Sequence, residues 1–310
     1  MPTALITHPA CLAHDTGPYH PECPDRLRAV LAALERPEFA DLIRETAPAA
    51  TEEQLGRVHP ADYIAAILAI RPEFGESVQI DSDTLMSPGS AEAALRAAGG
   101  AIMAVDAVME GWARAAFAAV RPPGHHAEPS RPMGFCFFNN AAVAALHARA
   151  RWGVQRVAVV DFDVHHGNGT QAMFAADPDL FYGSSHQHAC FPFTGEASER
   201  GIADNIVNVP LAEGAGSIEF RRAWSEVVLP ALDRFAPGLL IVSAGFDAHK
   251  LDPLADLRLE TDDFAWITDQ LVQLSARHCG GKVVSVLEGG YELGALGVSA
   301  AAHMRGLMRA

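Results

Sequence analysis

Seven short apolar runs, rich in β-branched residues, recur along the chain and restrict its fold more than any other feature. The runs are TALITH (3–8), AFAAV (116–120), RVAVVDFD (156–163), LFYGSS (180–185), NIVNVPL (205–211), GLLIVSAGFD (238–247) and KVVSVLEGG (282–290). Helical stretches, with apolar residues at three- and four-residue spacing, lie between them, including 26–35, 61–70, 90–110, 140–150, 217–235 and 261–278. Apolar strands separated by helices form parallel sheets covered on both faces. The sequence therefore predicts an α/β protein, a three-layer α/β/α sandwich around a central, mostly parallel sheet.

Length and patterning favour one globular domain over residues 1–310, because no internal repeat, low-complexity segment or linker interrupts the alternation. No stretch approaches the roughly 18 uninterrupted apolar residues that a membrane span needs. The start, MPTALITHPACLAHD, lacks the basic region and long apolar core of a secretory signal. We expect a cytoplasmic protein with no membrane partner, in a compact form that suits a bacterial setting.

Charge and cysteine content exclude several classes of partner and site. The formal net charge of −15 disfavours nucleic-acid binding, which needs clustered basic residues, and is compatible with a cationic substrate. The five cysteines are scattered, odd in number and without Cys-x-x-Cys spacing. This pattern argues against a disulfide framework and against a thiolate zinc site.

Polar residues follow four of the predicted strands. In parallel sheets the carboxyl ends of the strands meet at one edge, which is where such folds bind their ligands. We therefore expect one site at this edge, built from His125 and His126, from Asp161, Asp163 and His165, from Asp247, and from Glu288 and Tyr291.

Asp163, His165 and Asp247 form a candidate metal site. Asp163 and His165 are two residues apart, so on an extended chain their side chains point the same way. Asp247 from another strand end would complete three protein ligands and leave a position open for water or substrate. A single Asp or His at such a place is usually a helix cap, but several together indicate a site. Two carboxylates and one imidazole accept either Zn²⁺ or Fe²⁺.

The tandem His125 and His126 would sit beside this metal. They are suited to take a proton from water and give one to a leaving amine, although their spacing also allows both to be further metal ligands. Asp161 is a candidate to orient one imidazole and Asn168 the other. Tyr291, after a Gly-Gly turn, could donate its hydroxyl to a developing oxyanion.

With these residues assembled, the chain resembles the zinc-dependent histone deacetylase and acetylpolyamine amidohydrolase branch of the arginase/deacetylase superfamily. The resemblance runs through HPECPDRL (20–27), DSDTLMSPGS (81–90), RPPGHHAEPSRPMGFCFFNNAAVAA (121–145), VDFDVHHGNGTQ (160–171), SAGFDAHKLDPL (243–254) and LEGGY (287–291). It implies the arginase/deacetylase fold and hydrolysis of the acetyl-amide bond of an acylated amine.

Carried onto this chain, the resemblance implies one zinc ion held by Asp163, His165 and Asp247. His126 would be the general base and acid, with His125 mainly electrostatic and Tyr291 polarising the carbonyl. Asp161 would orient His125, and Asn168 would orient His126.

The resemblance is closer to class II, because class I deacetylases carry an aspartate where this chain has Asn168. Class IIa vertebrate enzymes, which are weak on acetyl-lysine, carry a histidine where this chain has Tyr291. The tyrosine therefore implies real deacetylase activity.

The resemblance also implies a narrow acyl-lysine tunnel between Phe135 and Phe191, with Gly134, Leu254 and Asp83 as further substrate contacts. Burying the lysine methylenes there would contribute about 0.8 kcal/mol for each CH₂. A structural potassium ion is implied as well, held by oxygens of Asp161, Asp163, His165, Ser184 and Ser185.

Three other functions compete with a lysine deacetylase. A two-manganese ureohydrolase is disfavoured, because Gly167 and His249 stand where such enzymes have carboxylates. An acetylpolyamine amidohydrolase is the main alternative, but vertebrate-type polyamine deacetylases carry a glutamate where this chain has Leu254. A non-catalytic acyl-lysine binding protein is disfavoured because the machinery is complete. The expected substrate is thus an acetylated lysine peptide, or else a small acetylated amine. The sequence leaves homo-oligomerisation open.

Overall fold

A computed structural model describes residues 2–310. Its centre is a sheet of eight strands, in which every neighbouring pair is parallel. In chain order the ten strands of the structure are β1 (Thr3–Thr7), β2 (Ile43–Thr46), β3 (Val78–Gln79), β4 (Leu85–Met86), β5 (Ala115–Ala118), β6 (Val157–Asp161), β7 (Leu180–Gln187), β8 (Ile206–Leu211), β9 (Leu239–Ala244) and β10 (Val283–Leu287). The large sheet has the order β2-β1-β5-β10-β9-β6-β7-β8, and β3 and β4 form a separate antiparallel pair.

Helices pack around this sheet in two groups. The helices are α1 (Ala10–Ala13), α2 (Pro24–Ala33), α3 (Glu52–Leu55), α4 (Ala61–Ala69), α5 (Ser90–Glu110), α6 (Asn140–Trp152), α7 (Asn168–Phe174), α8 (Ser217–Ala223), α9 (Leu229–Phe235), α10 (Thr261–His278) and α11 (Leu293–Leu307). α5 and α6 pack on each other and against the middle strands, while α2, α10 and α11 form a second packed group. The predicted three-layer α/β/α sandwich with a parallel sheet is confirmed.

The structure adds elements that the apolar patterns do not predict. β2 has the sequence IRET and is largely exposed at the edge of the sheet, so it lacks an apolar run. α7 begins at Asn168 within a site motif and α11 begins two residues after one, and glycines weaken the helical pattern of both. The helix predicted over 217–235 contains a π-helical turn, Trp224–Val228, between α8 and α9.

The apolar core includes a buried histidine. His303 of α11 is fully buried against Phe117, Phe162 and Phe246. Its two ring nitrogens contact the hydroxyls of Thr268 (2.6 Å) and Ser285 (2.8 Å). Burial lowers the pKa of His303 to about 3, so the ring is neutral in the folded protein.

No helix within residues 2–310 combines the length and the apolar character needed to cross a bilayer.

Candidate active site

Four adjacent strands deliver the predicted site residues to one edge of the sheet. The strands β5, β10, β9 and β6 are neighbours, and all run in the same direction. Their carboxyl ends carry, respectively, the tandem histidines, Tyr291, Asp247 and the pair Asp163 and His165. The structure therefore brings together residues that are far apart along the chain.

Asp163, His165 and Asp247 converge on one point. A ligand atom from each lies within 4.8 Å of the others, and all three side chains are buried. His165 Nδ1 is 3.1 Å from Asp163 Oδ1 and 3.2 Å from Asp247 Oδ2. Backbone amides fix both carboxylates, since Gly289 N–H donates to Asp163 Oδ2 and Val164 N–H donates to Asp247 Oδ1, each at 2.8 Å.

Gly289 is required by this close approach. A Cβ atom at this position would overlap the carboxylates of both Asp163 and Asp247. Only glycine therefore lets the loop after β10 reach over the two acids.

The charge of this cluster fits a divalent cation. Burial and the neighbouring Asp163 raise the pKa of Asp247 to about 7. Burial opposes protonation of His165, but its contacts with Asp163 and Asp247 outweigh that effect and raise its pKa well above the usual value. Two buried carboxylates whose oxygens lie within 4.8 Å of each other need a positive charge between them, and oxygen and imidazole donors are ligands for zinc or ferrous iron. The donor set thus fits the predicted metal.

The tandem histidines have different partners and different charges. Their rings lie 4.0 Å apart between centroids. His125 Nδ1 donates to Asp161 Oδ2 at 2.9 Å. Burial opposes its protonation, but Asp163 and Asp161 raise the pKa of His125 to about 10. Burial and the nearby His125 instead lower the pKa of His126 well below its usual value. The surroundings of the pair therefore favour the protonated form of His125 and the neutral form of His126.

Asn168, the first residue of α7, holds His126. Its Oδ1 lies 2.9 Å from His126 Nδ1. The N-terminus of α7 also fixes the backbone of His125, because the N–H groups of Gly169 and Thr170 both donate to His125 O, at 3.1 and 3.2 Å. Asp161 and Asn168 thus have the partners that the sequence predicts for them.

A cavity of about 210 Å³ opens onto this site from the surface. Its lining is Asp83, His126, Gly134, Phe135, His165, Phe191, Leu254 and Tyr291. All five substrate-binding residues predicted from the sequence are among them. Gly134 has a positive φ of 55°, and a Cβ atom there would overlap the His126 ring.

The loop that carries Tyr291 is held from two sides. Asp252 Oδ2 accepts hydrogen bonds from the backbone N–H groups of Tyr291 (2.7 Å) and Glu292 (3.3 Å). From the other side, Arg26 donates to the backbone oxygens of Glu288 and Gly290, and its guanidinium lies 4.7 Å from the Tyr291 ring centroid. Burial raises the pKa of Tyr291 well above its usual value, so its hydroxyl keeps its proton and can donate.

Two buried acids support the site: Glu288, which the sequence places at this edge without a specific role, and Glu22, to which the sequence assigns no role. Glu288 accepts hydrogen bonds from the backbone N–H groups of Gly124 (2.7 Å) and His125 (3.1 Å). Glu22 pairs with Arg26 at 2.9 Å and with Arg121 at 2.5 Å, all fully buried. These acids fix the loop that leads into the tandem histidines, and only their burial in the structure reveals it.

The residues expected to hold potassium lie beneath the metal cluster. Ser184 pairs in register with Asp161 across β6 and β7. The hydroxyl of Ser184 contacts His186 Nδ1 at 2.9 Å, and that of Ser185 accepts from Trp224 Nε1 at 2.9 Å. Both hydroxyls therefore already have protein partners, and potassium binding at this place stays a prediction.

Comparison with known proteins identifies relatives of this chain across nearly its whole length. The histone deacetylase-like amidohydrolase of Pseudomonas aeruginosa is 42% identical, over 93% of this chain and 81% of that protein. The polyamine deacetylase HDAC10 of Mus musculus is 38% identical, over 96% of this chain and 47% of that protein. The crystal structure of the HDA15 HD domain superposes with a TM-score of 0.93 at 37% identity, covering 99% of this chain and 88% of that one.

The histone deacetylase domain family matches residues 20–307, a range that contains every residue of the site described above. These relatives are deacetylases or amidohydrolases by name, and the shared range includes both the metal cluster and the cavity. The chain therefore belongs to the histone deacetylase family.

Proposed function

We propose that this protein is a zinc-dependent deacetylase that hydrolyses the acetyl-amide bond of acetyl-lysine in peptides or proteins. The observation that carries the proposal is the cavity of about 210 Å³ that is lined by Phe135 and Phe191 and reaches His165 of the metal cluster. Two aromatic walls suit an unbranched aliphatic side chain, whose end would then lie beside the metal ligands.

The proposed reaction requires only two contributions from a metal ion. Asp163, His165 and Asp247 would hold a zinc ion, or a ferrous ion as the alternative, which would supply Lewis-acid polarisation of the acyl carbonyl and activation of a water. The protein residues around it supply the proton transfers and the charge.

The asymmetry of the tandem histidines supports their separate roles. His126 is neutral and lines the cavity, so it can take a proton from the attacking water and deliver it to the leaving amine nitrogen. Asp163 and Asp161 raise the pKa of His125, so this ring can supply positive charge near the developing oxyanion. Tyr291 donates its hydroxyl to that oxyanion from the opposite wall. The products are acetate and the free amine.

The mouth of the cavity favours a lysine side chain over a polyamine. Leu254 forms an apolar wall there and offers no carboxylate to a distal ammonium group. Asp83 is the only acid in the cavity lining; its Oδ1 accepts from the Thr84 hydroxyl at 2.9 Å, which leaves Oδ2 to accept a peptide backbone N–H of the substrate, a group that a polyamine lacks. The similarity to a polyamine deacetylase keeps acetylpolyamine as the second candidate substrate.

The test is a comparison of kcat/KM for an acetyl-lysine tripeptide and for N-acetylputrescine, with protein loaded with one equivalent of zinc. Faster peptide turnover is expected. Substituting Asp83→Ala should then weaken turnover of the peptide but not of N-acetylputrescine. A clear preference for N-acetylputrescine would make the protein a polyamine deacetylase. Binding of the peptide without turnover of either compound would favour a non-catalytic acyl-lysine binding protein.

A further inference from the structure

The histidine that we assign as general base is the first member of a three-residue chain that leads to the carboxylate of Glu128. His126 Nδ1 contacts Asn168 Oδ1 at 2.9 Å, and Asn168 Nδ2 donates to Glu128 Oε1 at 2.8 Å. His126 and Asn168 are buried, and Glu128 is half-buried. A backbone hydrogen bond from Glu128 N–H to Arg131 O (3.0 Å) fixes the turn that carries the glutamate.

The partners of Asn168 decide which way its amide faces. Its Nδ2 lies beside two groups that can only accept, the Glu128 carboxylate and, at 3.4 Å, Met133 Sδ. The amide NH₂ must therefore face them, and the amide oxygen must face His126. Because an oxygen faces His126 Nδ1, that nitrogen must carry the proton, and Nε2 is left with its lone pair.

This arrangement differs from that of the neighbouring histidine. His125 is oriented by a carboxylate, Asp161, which accepts a hydrogen bond through either oxygen. An amide has two different ends, and only one of them can accept from an imidazole N–H. The amide at position 168 therefore needs a third group to choose its orientation.

We propose that Glu128 is a positioning residue that selects the active tautomer of His126 through Asn168; this inference rests on the proposed function of His126 as the base. Without Glu128, the Asn168 amide is free to turn over and donate to His126 Nδ1. The imidazole proton then moves to Nε2, which can no longer accept a proton from water.

The experiment combines kinetics with a direct measurement of the tautomer. In the zinc-loaded protein labelled with ¹⁵N-histidine, the ring shifts of His126 are assigned by comparison with His126→Gln and compared between wild type and Glu128→Ala. We expect an Nδ1–H ring in the wild type and a large Nε2–H fraction in Glu128→Ala. The kcat for an acetyl-lysine peptide should fall about 10- to 100-fold with KM little changed, the range seen when a partner of a site ligand is lost.

Two further variants separate orientation from folding. Glu128→Gln keeps an oxygen that accepts from Asn168 Nδ2, so it should recover most of kcat. Asn168→Asp combined with Glu128→Ala should keep the Nδ1–H tautomer, because a carboxylate at position 168 needs no helper.

The chain also contains a matched control. Glu199 accepts from Gln171 Nε2 at 2.5 Å, and Gln171 Oε1 contacts His166 Nε2 at 2.9 Å, which is a similar relay outside the cavity lining. Glu199→Ala should leave the His126 tautomer and kcat unchanged.

An unchanged tautomer in Glu128→Ala would overturn the proposal. Failure of Glu128→Gln to recover kcat would also overturn it, because the glutamate would then act other than by orienting the amide. The tautomer measurement needs no turnover. A protein that hydrolyses no acyl amide would contradict the proposed function, while the relay would still be tested.

Discussion

Replacing Asp252 by alanine should lower kcat chiefly by releasing the loop that carries Tyr291. Asp252 is 9% exposed and is not among the residues that line the cavity. One carboxylate oxygen holds the backbone N–H groups of Tyr291 and Glu292, and the other accepts from Leu254 N–H at 3.1 Å. The side chain therefore joins the loop of the oxyanion donor to the wall that contacts the substrate.

The size of the effect follows from these bonds. Hydrogen bonds to a charged acceptor contribute about 1.5–3 kcal/mol each, so losing two at the Tyr291 loop costs about 3 kcal/mol or more of local stability. A displacement of about 1 Å of a catalytic group can cost about 100-fold in rate. Removal of an oxyanion donor, as in Tyr291→Phe, costs about 10²–10³ in kcat. We expect Asp252→Ala to lower kcat about 10- to 100-fold, and by no more than Tyr291→Phe does.

A double-mutant cycle tests the route of this effect. The kcat of wild type, Asp252→Ala, Tyr291→Phe and the double variant is measured with an acetyl-lysine peptide, and the melting temperature of each is recorded. Asp252→Ala should change kcat little once the Tyr291 hydroxyl is absent. Asp263→Asn serves as a control, because Asp263 is buried and accepts from Glu260 N–H (2.9 Å) at the start of α10. An equal loss from Asp252→Ala in both backgrounds would show that Asp252 does not act through the Tyr291 hydroxyl.

Three further predictions concern specificity, pH and metal. Leu254→Glu should raise kcat/KM for N-acetylputrescine relative to an acetyl-lysine peptide, because it adds a carboxylate at the mouth; an unchanged ratio would count against our account of specificity. The pKa of His303 is about 3 in the folded protein and near 6.5 in the unfolded chain. Between pH 6.5 and pH 3 only the unfolded chain binds a proton at this residue, so the free energy of unfolding falls as the pH is lowered through this range. His303→Gln should reduce the slope of unfolding free energy between pH 6 and 4 by up to about 1.4 kcal/mol per pH unit in urea titrations. A chelator should abolish turnover and lower the melting temperature, since Asp163 and Asp247 lose their counter-charge, and added zinc should restore both; turnover that survives chelation would contradict the metal assignment.

The sequence predicts those parts of the fold and site that depend on local pattern. The seven apolar runs all correspond to strands of the main sheet, because a strand buried on both faces must be apolar throughout. The apolar pattern does not predict the edge strand β2, because the residues of this strand are mostly exposed. The ligand and histidine positions were predictable because they directly follow buried strands.

Residues that act on distant backbone or amide groups could not be predicted in this way. Asp252 holds a peptide 39 residues away, and Glu128 holds an amide 40 residues away. Nothing in the local sequence around either acid distinguishes it from a solvated surface charge. Their partners become visible only when the loops are packed together.

The position of β10 in the sheet has a consequence for biosynthesis. β10 is the last strand of the chain, yet it lies between β5 and β9 near the middle of the sheet. Until residues 283–287 leave the ribosome, β5 and β9 each have one edge without a paired strand, although both strands are buried in the folded protein. Unpaired apolar strand edges promote aggregation. Nascent chains are therefore expected to expose both edges until β10 has been synthesised. A chain that ends before β10 would lack both this central strand and the loop over Asp163 and Asp247. Its sheet would therefore keep two unpaired apolar edges, and its metal site would be incomplete.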